Sequence, residues 1–167
     1  MEITVREATK EDYESIKRIY LQGINTKRAT FQNEAYSYED WDKGHLKECR
    51  YVAVDQLNNV LGWITLAPYS SRCVYKGVAE VSVYIAEEAR NQQVGSLLME
   101  RLIPESEKIG IWTLQSGIIQ INQASIALHH KFGFRMVGYR ERIAKDMDGN
   151  WQNTVLMERR SPVVGVE

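Results

Sequence analysis

Apolar and polar residues alternate along several stretches of the chain, beginning near its N-terminus. Between residues 2 and 7, Ile3 and Val5 alternate with charged or polar neighbours, which is the period-two pattern of a strand with one buried face. Later stretches are rich in β-branched and aromatic residues and are bounded by turn-forming residues. The pattern predicts seven strands, at residues 2–7, 51–55, 60–66, 78–85, 111–119, 134–145 and 151–159.

Between these stretches, apolar residues recur at intervals of three and four, the spacing of a helix with one buried face. Thr9 is followed by an acid three residues later, which predicts the start of a helix that Gly23 would end. Ser37 is a predicted N-cap, and Pro104 is expected to kink or shorten the helix that contains it. The predicted helices cover residues 9–23, 37–48, 94–108 and 122–132.

The order of these elements is one strand, two helices, three strands, a helix, a strand, a helix and two strands. This order differs from the strict strand–helix alternation of a doubly wound sheet. It predicts an α/β fold (α+β, mixed sheet) in which the second to fourth strands run antiparallel and later helices cross the sheet. Because no linker or repeat interrupts the chain, we expect a single domain over residues 1–160 and a loose tail at residues 161–167.

The composition fits a globular domain. Of the 167 residues, 44% are hydrophobic and 26% are charged, which excludes wholesale disorder. The 21 basic and 22 acidic residues leave a net charge of −1, so the chain as a whole does not attract nucleic acid or an anionic membrane. No apolar run reaches the ~18 residues of a membrane span, and the first residues lack a signal-peptide pattern.

Cysteine and histidine are too few and too scattered for a metal site. Cys49 and Cys73 make no disulfide framework, and neither they nor the three histidines have a metal-ligand spacing. We therefore expect a cytoplasmic protein without a metal, which is either an enzyme or a binder of a small molecule.

One strand, loop and helix start carries most of the candidate chemistry. In the strand at residues 78–85, alternation places Glu80, Ser82 and Tyr84 on one face. The polar loop that follows opens the helix at residues 94–108, whose N-terminal N–H groups suit a phosphate or pyrophosphate. Gly95 allows close approach to the main chain, and Arg90 adds a cation. An ordinary strand-to-helix connection would give the same local pattern.

The loop from Arg90 to Gly95 resembles the [QR]-x-x-G-x-[GA] pyrophosphate loop of the Gcn5-related N-acetyltransferases. Ala29-Thr30-Phe31, the Asn122–His129 stretch and the Phe132-Gly133-Phe134 turn resemble the phosphinothricin and methionine sulfoximine acetyltransferase subgroup. The resemblance covers residues 3–159. The chain departs from the pattern at two positions of the loop, where Gln93 and Asn91 replace the usual glycines; if either position needs a positive φ, asparagine supplies it more cheaply than glutamine.

The resemblance implies the fold of this family and acetyl-CoA as the acetyl donor. It implies that the main chain of residues 83–85 pairs with the pantetheine arm, that the loop holds the pyrophosphate, and that Asn122 and Lys131 contact the coenzyme. The implied coenzyme-binding residues are Val83, Tyr84, Ile85, Arg90, Asn91, Gln92, Gln93, Val94, Gly95, Ser96, Asn122 and Lys131.

The resemblance also implies two candidate catalytic residues. Glu80 matches the family's general base, the group that removes a proton from the attacking amine. His129 lies seven residues after Asn122, on the same helical face, and points toward the same cleft if Asn122 faces the coenzyme. The competing readings are a solvated strand carboxylate for Glu80 and a structural histidine for His129.

For the acceptor, the resemblance implies contacts from Arg72 and Tyr75, with Phe31 in a lid. Arg72 would grip a carboxylate or phosphinate, and Lys76 could serve equally. The implied reaction is N-acetylation of a small amino acid or analogue, in an enzyme that is a homodimer like its relatives. The alternatives are a transferase for another amine (a polyamine, an aminoglycoside or a protein N-terminus) and a non-catalytic acyl-CoA-binding module.

Overall fold

Seven strands form one mixed sheet in the computed structural model, which describes all 167 residues. The strands are β1 (Thr4–Glu7), β2 (Tyr51–Val54), β3 (Val60–Pro68), β4 (Val78–Ile85), β5 (Thr113–Ile119), β6 (Arg135–Lys145) and β7 (Trp151–Arg160). Their order across the sheet is β1-β2-β3-β4-β5-β7-β6, and every neighbouring pair is antiparallel except β4 and β5. The predicted mixed sheet and its antiparallel meander of β2 to β4 are confirmed.

Four helices cover the sheet: α1 (Tyr13–Thr26), α2 (Tyr38–Gly44), α3 (Val94–Lys108) and α4 (Gln123–Lys131). The side chains of α1 and α2 pack on one face of the central strands, where the rings of Tyr20, Trp63 and Tyr84 contact one another. The apolar side of α3, with Leu98 and Leu102 fully buried, covers the opposite face. None of the helices combines the length and the apolarity needed to cross a membrane.

The sequence predicts that Gly23 ends α1, and this prediction is wrong. The helix continues to Thr26 and ends at Lys27, whose φ is 60°. A Cβ atom at Gly23 would lie 3.0 Å from the ring of Tyr84. The missing side chain therefore lets a strand β4 tyrosine pack directly against the helix, and this packing accounts for the glycine.

The helix α2 ends earlier than expected, whereas α3 has its predicted ends. The helix α2 stops at Gly44, before residue 48, because the guanidinium of Arg50 bonds the carbonyl oxygens of Asp42 and His45, and His45 is extended. The helix α3 runs to Lys108 without being shortened by Pro104. Pro104 and Glu100, whose carbonyl group loses its helical partner to the proline, are both exposed residues.

The last residues are not a loose tail. Ser161 is buried, its N–H donates to the carbonyl of Trp112, and its hydroxyl donates to the Glu107 carboxylate. The guanidinium of Arg160 donates to the carbonyls of Val164 and Gly165. These bonds hold residues 161–165 in place. The local sequence, with Pro162 and Gly165, does not predict them.

Candidate active site

The sheet opens between its two parallel strands. Strand β4 pairs with β5 only from Val78 to Glu80, opposite Thr113 to Gln115. Beyond Glu80, β4 continues to Ile85 with β3 alone as its neighbour, while β5 stays paired with β7 along its full length. The opening leaves one edge of β4 without a strand partner.

The direction of the main-chain groups shows which residues face this opening. The N–H of Ala86 donates to the carbonyl of Leu61, so the main-chain groups of Ala86 point toward β3. Because these groups alternate along a strand, those of Tyr84 also point toward β3, whereas those of Val83 and Ile85 point into the opening. The sequence analysis expects the main chain of all three residues 83–85 to face the ligand. In the structure the main chain of Tyr84 faces β3, and its ring packs against Tyr20 and Trp63.

The loop before α3 adopts an unusual backbone. Asn91 and Gln93 both have positive φ angles, 62° and 66°. Both positions where the chain replaces a glycine thus need the left-handed conformation, which costs a glutamine more than a glycine. Gln93 is the N-cap of α3 without a side-chain cap bond, and the hydrogen bond from Leu97 N–H to the carbonyl of Gln93 opens the helix.

The start of α3 offers main-chain donors beside the open edge of β4. The N–H groups of Val94, Gly95 and Ser96 precede the bond donated by Leu97 and have no partner within the helix. Gly95 lets α4 approach, because a Cβ atom there would lie 2.9 Å from Leu128. These donors and the helix dipole make the loop suitable for a diphosphate.

Three cations surround this loop. Arg90 and Arg28 line a cavity of about 500 Å³ together with residues 83–85 of β4. Lys131 reaches back from α4, where its Nζ donates to Ser96 Oγ at 2.9 Å and to Gln93 Oε1 at 3.4 Å. Sequence reasoning missed Arg28, since nothing in the local pattern shows that the end of α1 lies opposite the loop.

A second cavity, of about 660 Å³, lies on the other side of the open edge. Its wall contains the aromatic rings of Tyr20, Trp41, Trp63 and Tyr84. Four charged side chains line it: Lys17, Asp40, Glu80 and Arg140. The cavity is thus apolar along one wall and carries an equal number of acidic and basic groups.

Glu80 lies where the pairing of β4 with β5 ends. Its side chain is exposed and lines the larger cavity, and its Oε2 accepts a hydrogen bond from Gln115 Nε2 at 3.3 Å. The carboxylate therefore lies where the open β4 edge begins, at the wall of the cavity that could hold an acceptor. No arginine or lysine forms an ion pair with Glu80, so a proton acceptor there keeps its free lone pairs.

His129 also lines the larger cavity, but it is almost fully enclosed. The side chain is 1% exposed, Nδ1 lies 2.7 Å from the carbonyl oxygen of Ser125, and the ring packs edge-on against Phe134. Nδ1 therefore carries the hydrogen, and Nε2 is buried without a partner. Burial lowers the pKa of His129, and the bond to Ser125 opposes that shift only in part.

Asn122 joins the two cavities, since it lines both. It is the N-cap of α4, and its Oδ1 accepts the N–H of Ser125 at 3.2 Å. The cap fixes the amide so that its NH₂ group is left to donate toward a ligand.

The predicted acceptor residues divide between two places. Phe31 lines the larger cavity, whereas Arg72, Tyr75 and Lys76 do not. The guanidinium of Arg72 instead lies 5.6 Å from the ring of Tyr75, which packs against Tyr69 on the exposed loop between β3 and β4. Within one chain, the structure does not bring Arg72 or Tyr75 to the larger cavity.

Sequence reasoning missed three charged residues that do line this cavity: Lys17, Asp40 and Arg140. Lys17 is half-buried on α1 and Asp40 is exposed on α2, and a charge on the outer side of a helix is the ordinary expectation. Arg140 lies on an edge strand far from Glu80 in the sequence. No local signal distinguishes these residues from a solvated surface.

The opened parallel pair beside a helix N-terminus suits a ligand that carries a diphosphate and an amide-bearing arm, as the acyl-coenzyme A of an acyltransferase does. The chain belongs to the acetyltransferase (GNAT) family, whose model matches residues 7–134. Its recognition from sequence is thereby confirmed, including the subgroup, because the similar proteins below carry the same names.

Two relatives and one solved structure show how far the similarity extends. The chain is 33% identical over 148 residues to the phosphinothricin N-acetyltransferase of Streptomyces coelicolor, covering 84% of this chain and 86% of that one. It is 24% identical over 163 residues to an L-methionine sulfoximine/L-methionine sulfone acetyltransferase of Pseudomonas paraeruginosa, covering 95% and 94%. A phosphinothricin acetyltransferase from Sinorhizobium meliloti, solved with acetyl-CoA, superposes with a TM-score of 0.89 at 25% identity, covering 100% and 92%.

The strained loop predicts a stabilising substitution. Gln93→Gly should raise the free energy of unfolding by up to about 1 kcal/mol, because glycine adopts the left-handed conformation without a Cβ clash. Gln92→Gly, one position away at a residue whose φ is not positive, is the matched control and should lower it by roughly 0.5–1 kcal/mol. Urea unfolding of both variants tests this; equal losses of stability would contradict it.

The buried histidine predicts how stability depends on pH. In the unfolded chain His129 takes up a proton near its ordinary pKa of about 6.5, whereas burial lowers its pKa in the folded protein. The unfolded state therefore binds more protons on acidification, and folding stability falls as pH drops below about 6.5. His129→Gln should show a smaller fall between about pH 7.5 and pH 5 than the unaltered chain. His130→Gln, at an exposed neighbouring position, should fall as the unaltered chain does, and an identical slope in all three would refute the assignment.

Proposed function

We propose that this chain transfers the acetyl group of acetyl-CoA to the amino group of a small amino acid or amino-acid analogue. The observation that carries the proposal is the open edge of β4, which joins a loop suited to a diphosphate to a cavity of about 660 Å³ that contains Glu80. The names of the relatives, phosphinothricin and methionine sulfoximine or sulfone acetyltransferases, support this class of acceptor.

The residues present fit acetyl-CoA as the acetyl donor. The N–H groups of Val94, Gly95 and Ser96, with Arg28 and Arg90, would bind the pyrophosphate. The free main-chain groups of Val83 and Ile85 would pair with the amides of the pantetheine arm, as an added strand does. A β4 N–H at the end of this edge would stabilise the negative charge that develops on the thioester oxygen. Lys131 supports the loop through Ser96 and Gln93.

In this reaction the acceptor must first lose a proton, because an ammonium group has no lone pair for attack. Glu80 is the proposed general base, acting on the amine directly or through a water molecule. The amine nitrogen then forms a bond to the acetyl carbon while the carbon–sulfur bond breaks, and the sulfur leaves as a thiolate that takes up a proton. No covalent acyl-enzyme is required, since neither Cys49 nor Cys73 lines either cavity.

His129 is the second proposed catalytic group, in a narrower role. Its low pKa keeps the ring neutral at pH 7, so that Nε2 can accept a hydrogen bond or a proton at the wall of the cavity. With 1% of the side chain exposed, it can act only on a group that enters the cavity beside Asn122.

The charges of the larger cavity bear on the alternative acceptors. A zwitterion matches a wall that carries both signs, whereas a polyamine or an aminoglycoside, which carries several positive charges, would find partners in Asp40 and Glu80 but none in the two basic groups. Phe31 would pack on the carbon chain of the acceptor. An acyl-CoA-binding module without catalysis differs in outcome: it binds acetyl-CoA and releases no thiol with any amine.

We also propose that the protein is a cytoplasmic homodimer. Strand β6 is an unpaired edge along 11 residues and exposes a series of large apolar side chains beside those of β7: Met136, Val137, Tyr139, Ile143 and Trp151. An exposed apolar edge strand of this length is an association site unless it is covered. Cys49 and Cys73 are both free thiols, which suits a reducing compartment.

The proposed base predicts a selective loss of turnover. With acetyl-CoA and phosphinothricin or methionine sulfone as acceptors, Glu80→Gln should reduce kcat by about 100-fold or more and change the pH profile of kcat. Its affinity for acetyl-CoA in calorimetry should stay within about twofold, because the side chain lies outside the diphosphate loop.

The matched control for this experiment is Glu141→Gln, at an exposed strand position that lines neither cavity. This variant should release free thiol at the rate of the unaltered chain. Full turnover in Glu80→Gln would remove Glu80 from the mechanism, and an equal loss in Glu141→Gln would show that the effect is not specific.

A further inference from the structure

One row of residues across three strands lines the larger cavity, which also contains Glu80. Ile119 of β5 pairs with Thr154 of β7, which pairs with Arg140 of β6. Paired residues of neighbouring antiparallel strands project to the same face of a sheet. All three line the larger cavity, so this row brings Arg140 to its wall.

Arg140 has no partner within the chain. Its guanidinium forms no hydrogen bond and no ion pair, as is also the case for Arg142 in the same strand, whereas Arg135 and Arg159 each pair with a glutamate. It is the only arginine that lines this cavity. A guanidinium with five donors at the wall of a cavity is suited to a planar or tetrahedral oxyanion, which it can bind through two parallel hydrogen bonds.

The backbone around Arg140 is held by a bulge. The register of β6 against β7 shifts between Arg140 and Ala144, and Arg142 within the bulge has a φ of 49°. Asn153 bridges it: its Oδ1 accepts the N–H of Arg142 at 2.8 Å, and its Nδ2 donates to Gln120 Oε1 at 2.9 Å. The amide thereby ties the bulge to the end of β5, which fixes the strand on which Arg140 is carried.

The geometry points to Arg140 as the residue that binds the acidic group of the acceptor, the part played in the sequence prediction by Arg72. The acceptor class that follows is an amino acid that bears an oxyanion, with its amino group toward Glu80 and its carboxylate or phosphinate on Arg140. This inference rests on the proposed function and adds a specificity-determining residue to it. Asn153 is a positioning residue in this arrangement.

The test compares three acceptors in a thiol-release assay with acetyl-CoA: phosphinothricin, which has a carboxylate and a phosphinate; methionine sulfone, which has the carboxylate alone; and the amide of methionine sulfone, which has neither. Arg140→Gln should raise the KM of at least one acidic acceptor about 10- to 100-fold, the value of a lost charge-assisted hydrogen-bond pair. Its kcat should change by less than about threefold, and the KM of the amide should be unaltered.

The pattern across the acceptors identifies the group that Arg140 holds. Losses on both acids assign the carboxylate, and a loss on phosphinothricin alone assigns the phosphinate; either supports the inference. Arg140→Lys should recover part of the loss, since it keeps the charge without the paired donors. Arg135→Gln removes the same charge from the same strand outside the cavity and should leave every KM unchanged.

Three outcomes would overturn the inference. The first is an unchanged KM for all three acceptors in Arg140→Gln, and the second is an equal rise that includes the amide. Both leave the proposed function intact if the unaltered chain releases thiol. The third is the absence of thiol release by the unaltered chain with every acceptor, which overturns the proposed function as well.

Discussion

The end of the pairing between β4 and β5 at Glu80 is the constraint on which the site depends. Main-chain N–H and C=O groups away from water need partners, and Val83 and Ile85 have none from the sheet on that side. A ligand that carries amides can supply them, so the same break that ends the pairing of β4 with β5 creates a binding edge. It also separates β4 from β5 enough for α4 to bring Asn122 and His129 to the cavity.

The aromatic packing on the α1 side ties this edge to the acceptor cavity. Tyr84 turns its main chain to β3 and its ring toward Gly23, where no side chain stands in the way. The ring stacks on Trp63, with centroids 5.0 Å apart, and that indole forms part of the cavity wall. Coenzyme edge and acceptor wall therefore share one rigid strand, which holds the reacting groups in a fixed relation.

Much of the fold could be predicted from the sequence because the signals are local. Alternation gives β4 with its observed bounds, and the Asn122 cap and the loop before α3 are visible in a few consecutive residues. The role of Gly23 could not be predicted locally, because the residue that requires a glycine there is Tyr84 in a distant strand. The lining of the larger cavity is equally non-local: Arg72 is near Glu80 in sequence but does not line it, whereas Arg140 lines it through the pairing of β6, β7 and β5.

Amide hydrogen exchange in the presence and absence of acetyl-CoA tests the central claim most directly. Acetyl-CoA should slow exchange at Val83 and Ile85, whose N–H groups face the opening. It should leave Tyr84 nearly unchanged, because the N–H of Tyr84 is directed to β3. Unaltered exchange at Val83 and Ile85 under saturating acetyl-CoA would contradict the assignment of this edge as the coenzyme site.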